Sequence, residues 1–162
     1  MRKFLHFIDN ISEWTGRIFS WTIVFMTLLV VIEVIRRYIF NSPSIWAFEI
    51  TIMLYSFYFM IVAAYTLLHG GHVAIDIIYV NLRPRKRIIL DVISYVIFFF
   101  PFLLVVLYVG ISFAASSWSI HETSWSIFGP PVYPVKTIIP VASFMLILQG
   151  FSILVRKLHT FK

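Results

Sequence analysis

The sequence predicts an all-α integral membrane protein: four transmembrane helices, a short interfacial helix at the N-terminus, and a short cytoplasmic helix between spans two and three. Three observations lead there. Of 162 residues, 60% are hydrophobic and only 12% charged, more apolar surface than a soluble domain of this length can hide. The apolar residues gather into four runs, approximately 18–40, 43–68, 88–115 and 134–155, each reaching the roughly 20 residues that cross a hydrocarbon core. The charges sit between the runs in short clusters, as topology signals and headgroup contacts do. That distribution argues against nucleic acid as the counterpart of the +6 net charge and for the lipid bilayer. A single membrane domain, residues 1–162, accounts for the length. Cysteine is absent, which excludes disulfides and thiolate metal sites.

Residues 2–14 read as a helix lying in the headgroup plane. Phe4, Phe7, Ile8, Ile11 and Trp14 follow helical spacing, and Lys3, His6, Asp9, Asn10 and Glu13 take the other side. Asp9 and Glu13 interrupt any signal-peptide core and no small-residue cleavage site follows, so the segment is expected to stay in the mature protein.

The first span ends in a charged hairpin. Glu33 precedes Arg36 and Arg37 by three and four residues, so the three share a helical face and can pair. Ser42-Pro43 reads as an N-cap followed by proline at the first helical position, which starts the second helix there and points Trp46 and Glu49 the same way. His69-Gly70-Gly71-His72 breaks that helix. Val73 to Leu82 is too short to span and reads as a helix in the interface or against a partner, followed by the basic cluster Arg83 to Arg87.

Pro101 lies inside the third span and should kink it or be accommodated by neighbouring helices. Residues 116–133 form the longest non-spanning segment, with Trp118, Trp125, Tyr133 and the turn Gly129-Pro130-Pro131. The fourth span carries Pro140 in its first turns. Four spans put both termini on one side. Arg2, Lys3, Arg17, Arg83, Arg85, Lys86, Arg87, Arg156, Lys157 and Lys162 share that side, against Arg36, Arg37 and Lys136 on the other. Such a bias places the termini in the cytoplasm.

Few chemistries survive this arrangement. His6, His69, His72, His121 and His159 all fall at span ends or in loops, which disfavours haem ligation from mid-span. His69 and His72 alone make a weak metal site. The span centres are almost free of ionisable residues, unlike those of a pump or stand-alone transporter. No phosphate loop, metalloprotease helix or nucleophile motif is present, and the serines near His121 and Glu122 are ordinary loop residues. The residues therefore describe a small four-span subunit rather than an enzyme, with no cofactor expected. A self-contained exporter or channel, or a membrane anchor of a redox enzyme, is the alternative.

Three motifs in order carry a resemblance. Arg37-Tyr38-Ile39-Phe40-Asn41 is followed by Trp46-Ala47-Phe48-Glu49, then by Gly71-His72-Val73-Ala74-Ile75-Asp76, then by the run Pro130-Pro131-Val132-Tyr133-Pro134-Val135-Lys136-Thr137-Ile138-Ile139-Pro140. In these the chain resembles the small membrane subunit (DctQ-like) of tripartite ATP-independent periplasmic, or TRAP, transporters. Ala74 departs from the pattern, where many relatives look basic.

The resemblance implies a subunit of the bacterial inner membrane that scaffolds a large membrane subunit. That partner would carry out sodium-gradient-driven uptake of an organic acid delivered by a periplasmic binding protein. It also implies residue roles. Glu33, Arg36, Arg37 and Glu49 would form an ion-pair cluster tying the first two helices together or to the large subunit, with Asn41 in the same turn. Trp46 would anchor the hairpin at the outer interface. Gly71, His72 and Asp76 would shape the cytoplasmic turn and its partner contact, and Trp118, Trp125 and Tyr133 would lie where the binding protein docks.

Overall fold

The computed structural model describes residues 2–71 and 84–160. Its helices are α1 (Arg2–Tyr38), α2 (Ala47–Ile61), α3 (Ala63–Leu68), α4 (Pro84–Ser94), α5 (Phe100–Ser119) and α6 (Tyr133–Thr160), with a π-helical turn over Tyr95–Phe99 joining α4 to α5. Four stretches are long and apolar enough to cross a membrane: Lys3–Tyr38, Ala47–Leu68, Arg85–Ser119 and Tyr133–His159. Each begins and ends within a few residues of the expected run except the first, which starts far earlier.

That exception revises the N-terminal reading. Residues 2–14 are not a separate helix; α1 continues through them without a break for 37 residues, about 55 Å of helix at 1.5 Å per residue. Leu5, Ile8 and Ser12 are buried, whereas Phe4, Phe7, Ile11 and Trp14 are exposed. Asp9 and Glu13 turn inward because other helices supply their hydrogen-bond partners, described below. The short helix expected over residues 73–82 lies outside the described residues.

The hairpin between α1 and α2 also differs. The second helix starts at Ala47, not Pro43, and Trp46 occupies its N-cap without a side-chain cap bond. The chain turns instead at Asn41, in the left-handed region at φ 45°, and the Ser42 amide donates back to the Arg36 carbonyl. Glu33 then accepts from the Ser44 amide at 2.9 Å, eleven residues on. The carboxylate of one helix thus holds the turn extended where a Ser-Pro cap would have begun a new helix. Trp46 lines a groove against α1, beside Phe25, Leu29 and Glu33, while Glu49 lines a different groove against α6. The two residues do not point the same way.

Helix ends and prolines follow the local chemistry. After α3, Gly70 takes φ 65°, its amide donates to the Leu67 carbonyl, and the Gly71 amide donates to that of Thr66. This Schellman pair satisfies the last carbonyls and stops the helix. In the third span Pro101 has no N–H for the Ile97 carbonyl and its ring crowds that turn. The strain is taken up just upstream, where Phe100 donates to Tyr95 in a wider π-turn. Pro140 stays inside α6, and its ring packs on Gly110 of α5, where an added Cβ would stand 3.4 Å from the proline Cδ.

α6 is the hub, since each of the other described α-helices packs against it. Small residues are prominent in the centre, with Ala47, Ala64, Ala114, Ala142, Ser117, Ser143 and Ser152 buried alongside Leu5, Ile8, Ile61, Leu67 and Leu103. Lipid offers apolar side chains no reward for leaving it, so helices in lipid associate through close backbone approach and interhelical hydrogen bonds. Gly16 shows how close: a Cβ there would fall 2.2 Å from the Tyr65 ring, so α1 and α3 meet backbone to ring.

Candidate functional site

Two sets of polar side chains tie the helices together, one at each end of the bundle. At the end carrying the termini, Asp9 of α1 is the common acceptor. Gln149 Nε2 donates to it at 3.1 Å and Ser152 Oγ at 3.0 Å, both from α6, and Arg156 forms an ion pair with it. Ser12 Oγ donates to Gln149 Oε1 at 2.8 Å. Gln149 and Ser152 are fully shielded from solvent, so these bonds are made in a low-dielectric setting where an unmade one would be costly.

Glu13, one turn on, is held by Arg17 at 2.8 Å and by the His69 ring at 2.7 Å, and His69 rests on the Tyr65 ring. Lys157 of α6 pairs with Asp91 of α4. Charged contacts at this end therefore join α1 to α6, the end of α3 to α1, and α4 to α6. None of Asp9, Ser12, Gln149 and Ser152 figures among the candidate site residues, and Asp9 enters the sequence reading only as part of the polar face of the N-terminal segment. The signal was present as Gln149, Ser152 and Arg156 at spacings of three and four in an otherwise apolar run, opposite Asp9 and Ser12 three apart in α1.

At the other end, residues 120–132 are an ordered loop. The Ser124 amide donates to the Pro130 carbonyl at 2.9 Å and the Val132 amide to that of Glu122 at 3.0 Å, around a bridge between Thr123 and Pro131. Glu122 fixes this loop to both flanking helices. It accepts from Ser117 Oγ of α5 at 2.7 Å and pairs with Lys136 of α6, whose ammonium also sits 4.1 Å from the centre of the Phe113 ring. The Lys136 ammonium, then the Ser117 hydroxyl, hold the Glu122 carboxyl below its ordinary value of 4.5.

Trp118 and Tyr133 lie against each other, ring centres 4.4 Å apart, and Trp118 Nε1 donates to Thr137 Oγ1 at 2.8 Å. Trp125 is different: it stands fully exposed at the loop tip beside exposed Ile127 and Phe128. The three aromatic residues grouped by the sequence thus divide into a packed pair and one free side chain.

The structure also divides the hairpin charges. Glu33 and Arg37 approach to 3.7 Å, a loose pair, with Glu33 committed mainly to the Ser44 amide. Arg36 lines the groove that also holds Glu33, Ser44 and Trp46. Glu49 joins neither arginine. Its Oε1 accepts from Ser124 Oγ at 3.3 Å, and its Oε2 is buried without a hydrogen-bond partner among the described residues. Asn41 makes the turn described above, Gly71 closes the end of α3, and His72 and Asp76 lie outside the described residues. Among the described residues no group of three or more metal-ligating side chains occurs.

Fold and side chains together define a multi-pass membrane protein whose polar groups serve to join helices. Comparison with known proteins makes this specific. Residues 26–160 match the family described as tripartite ATP-independent periplasmic transporters, DctQ component, and the chain belongs to that family. Over 80 residues, 49% of the chain, it is 30% identical to the C4-dicarboxylate TRAP transporter small permease protein DctQ of Vibrio cholerae serotype O1. The match spans 33% of that relative's length.

Proposed function

We propose that this chain is the small permease subunit of a TRAP transporter and that it braces the large membrane subunit during sodium-gradient-driven uptake of an organic acid. A periplasmic binding protein delivers the acid, both termini lie in the cytoplasm, and the protein resides in the bacterial inner membrane. Family membership supports the assignment. The observation that carries the bracing role is how the buried polar side chains are used. Ser12, Gln149, Ser152 and Asp9 bond to one another and to Arg156, so they act as helix-to-helix ties and are not left open to a solute. A protein built in that way suits a frame better than a pathway.

In the same reading, Trp125 with Ile127 is the exposed contact offered to the binding protein, and Trp46 anchors the α1–α2 hairpin at the outer interface. Reconstitution tests the proposal. Vesicles holding both membrane subunits, given binding protein and a sodium gradient, should accumulate the organic acid, and vesicles holding this chain alone should not. Accumulation by this chain alone would overturn it.

A further inference from the structure

The groove between α2 and α6 holds a carboxylate with no cation partner among the described residues. Glu49 sits in the first turn of α2. Its side chain receives only the Ser124 hydroxyl, one of its oxygens is buried without a donor, and among the described residues no cation lies within ion-pair distance. Lys136 lines the same groove but is committed to Glu122 and the Phe113 ring. The α2 N-terminus favours an anion there, yet a helix dipole is a weak partner for a charge held away from water.

The walls of the groove are apolar. Phe48, Ile52, Met53, Val132 and Val135 enclose about 410 Å³, and Phe48 and Ile52 are exposed one helical turn apart on the same side of α2. Phe59 and Tyr55 continue that exposed face away from the loop, and their rings are stacked at 6.1 Å. An apolar trough with an uncompensated carboxylate at its loop end suits an amphipathic occupant of matching layout. That occupant is an apolar helix with a basic side chain near one end.

We propose that Glu49 receives an arginine or lysine from a transmembrane helix of the large membrane subunit, which lies in the α2–α6 groove against Phe48 and Ile52. The proposal rests on the assignment of the chain as the small permease subunit. It gives that assignment a surface and a direction: the large subunit meets the α2 side that faces α6, and its basic residue lies level with the outer loop. Glu33 and Arg37 line a neighbouring groove between α1 and α2 that shares Phe48 but neither Glu49 nor Ile52, so position 52 is the site that reports on the α2–α6 groove alone.

Photo-crosslinking of the two co-expressed membrane subunits tests this without weakening the fold. Benzoylphenylalanine is placed at position 48 or at position 52, with a third site at Tyr108, exposed on α5. Crosslinks from positions 48 and 52 to the large subunit, absent from position 108, support the groove. In parallel, Glu49→Lys should lower the recovered large subunit about tenfold or more, Glu49→Gln should lower it less, and suppressors of Glu49→Lys should replace a basic residue of the large subunit by an acidic one.

Crosslinks from the groove only to lipid, or only to a second copy of this chain, overturn the proposal. So does an unchanged yield of large subunit from Glu49→Lys. In those cases the large subunit still co-purifies with the unmodified chain, so the subunit assignment stands. Failure of the unmodified chain to recover any large subunit overturns both.

Discussion

α1 and α6 are both long, apolar helices, yet they are built on opposite plans. α6 carries its polar residues inward. Gln149, Ser143 and Ser152 are buried in it, and every other described α-helix rests on it. α1 carries an unbroken row of large apolar residues outward. Phe4, Phe7, Ile11, Trp14, Ile18, Trp21, Phe25, Leu28, Ile32 and Ile35 recur at alternating steps of three and four, and all are exposed. What faces in on α1 is Ser12, Asp9 and Gly16, alongside Leu5 and Ile8.

The contrast teaches that cohesion in this chain draws heavily on polar bonds and close backbone approach, while most of its large apolar side chains face lipid. A soluble protein has these two roles reversed. If that is right, substitutions at the small and polar inward positions should cost far more than substitutions of much larger residues on the outward row.

The largest effect is expected at Gly16. A Cβ added there falls within 2.5 Å of three Tyr65 atoms, including its Cβ, so the ring cannot simply swing aside. Gly16→Leu should force α1 away from α3 and destabilise the subunit by about 3 kcal/mol, the upper part of the range for overpacking. Thermal unfolding in detergent measures it. A Tm within a degree of the unsubstituted chain would mean the α1–α3 contact does not hold the bundle.

Asp9 comes next. Asp9→Ala strips the acceptor from Gln149 and Ser152 and removes one ion-pair contact of Arg156. Leaving buried donors unpaired costs about 1–3 kcal/mol. Gln149→Leu removes the link between Ser12 and Asp9 at about 1 kcal/mol, as interhelical hydrogen bonds in membranes are individually modest. Because the two residues share a bond, the double variant should cost less than the sum of the single ones. Strict additivity would show that the contacts act independently.

A smaller effect belongs to the outer loop and depends on pH. The Glu122 carboxyl is held below 4.5 by Lys136 and Ser117, so in the window below 4.5 the unfolded chain takes up protons that the folded chain refuses. The stability contributed by Glu122 is then complete above pH 4.5 and is lost as pH falls through the lowered value. Comparing Tm against pH for the parent and Glu122→Gln isolates this part. The parent should lose its advantage on acidification, and a constant difference down to pH 3 would contradict the assignment.

The fold was legible in the sequence because a bilayer imposes its own length on every span. The four runs, the Gly70-Gly71 stop and the disturbance by Pro101 could all be read from local rules. The start of α2 could not, because Ser42-Pro43 satisfies the rule for a helix start and loses to Glu33, which takes the Ser44 amide from eleven residues away. The N-terminal segment was misread for the same kind of reason. Asp9 and Glu13 look like solvent-facing charges until Arg156 and His69 arrive from the far end of α6 and the end of α3. Of the candidate residues, Gly71 was accessible to local reading through the helix break at Gly70-Gly71, whereas Asn41 entered only through the family resemblance. The Asp9–Gln149 network and the isolation of Glu49 depend on which helices are neighbours, and a single sequence does not encode that in any short window.

The smallest effect should come from the largest side chain. Trp21 is exposed in the middle of the outward row of α1, and its ring meets lipid or detergent whether or not the helices are assembled. Folding within a membrane moves no water-exposed apolar surface into the core at this position, so the usual area-based stabilisation does not apply. Trp21→Leu should therefore shift stability by no more than about 0.5 kcal/mol, the ordinary range for surface positions, despite removing more of a side chain than Gln149→Leu does. Measured on the isolated subunit, a loss as large as that of Asp9→Ala would show that the aromatic row packs against protein, and the opposition between α1 and α6 would fail.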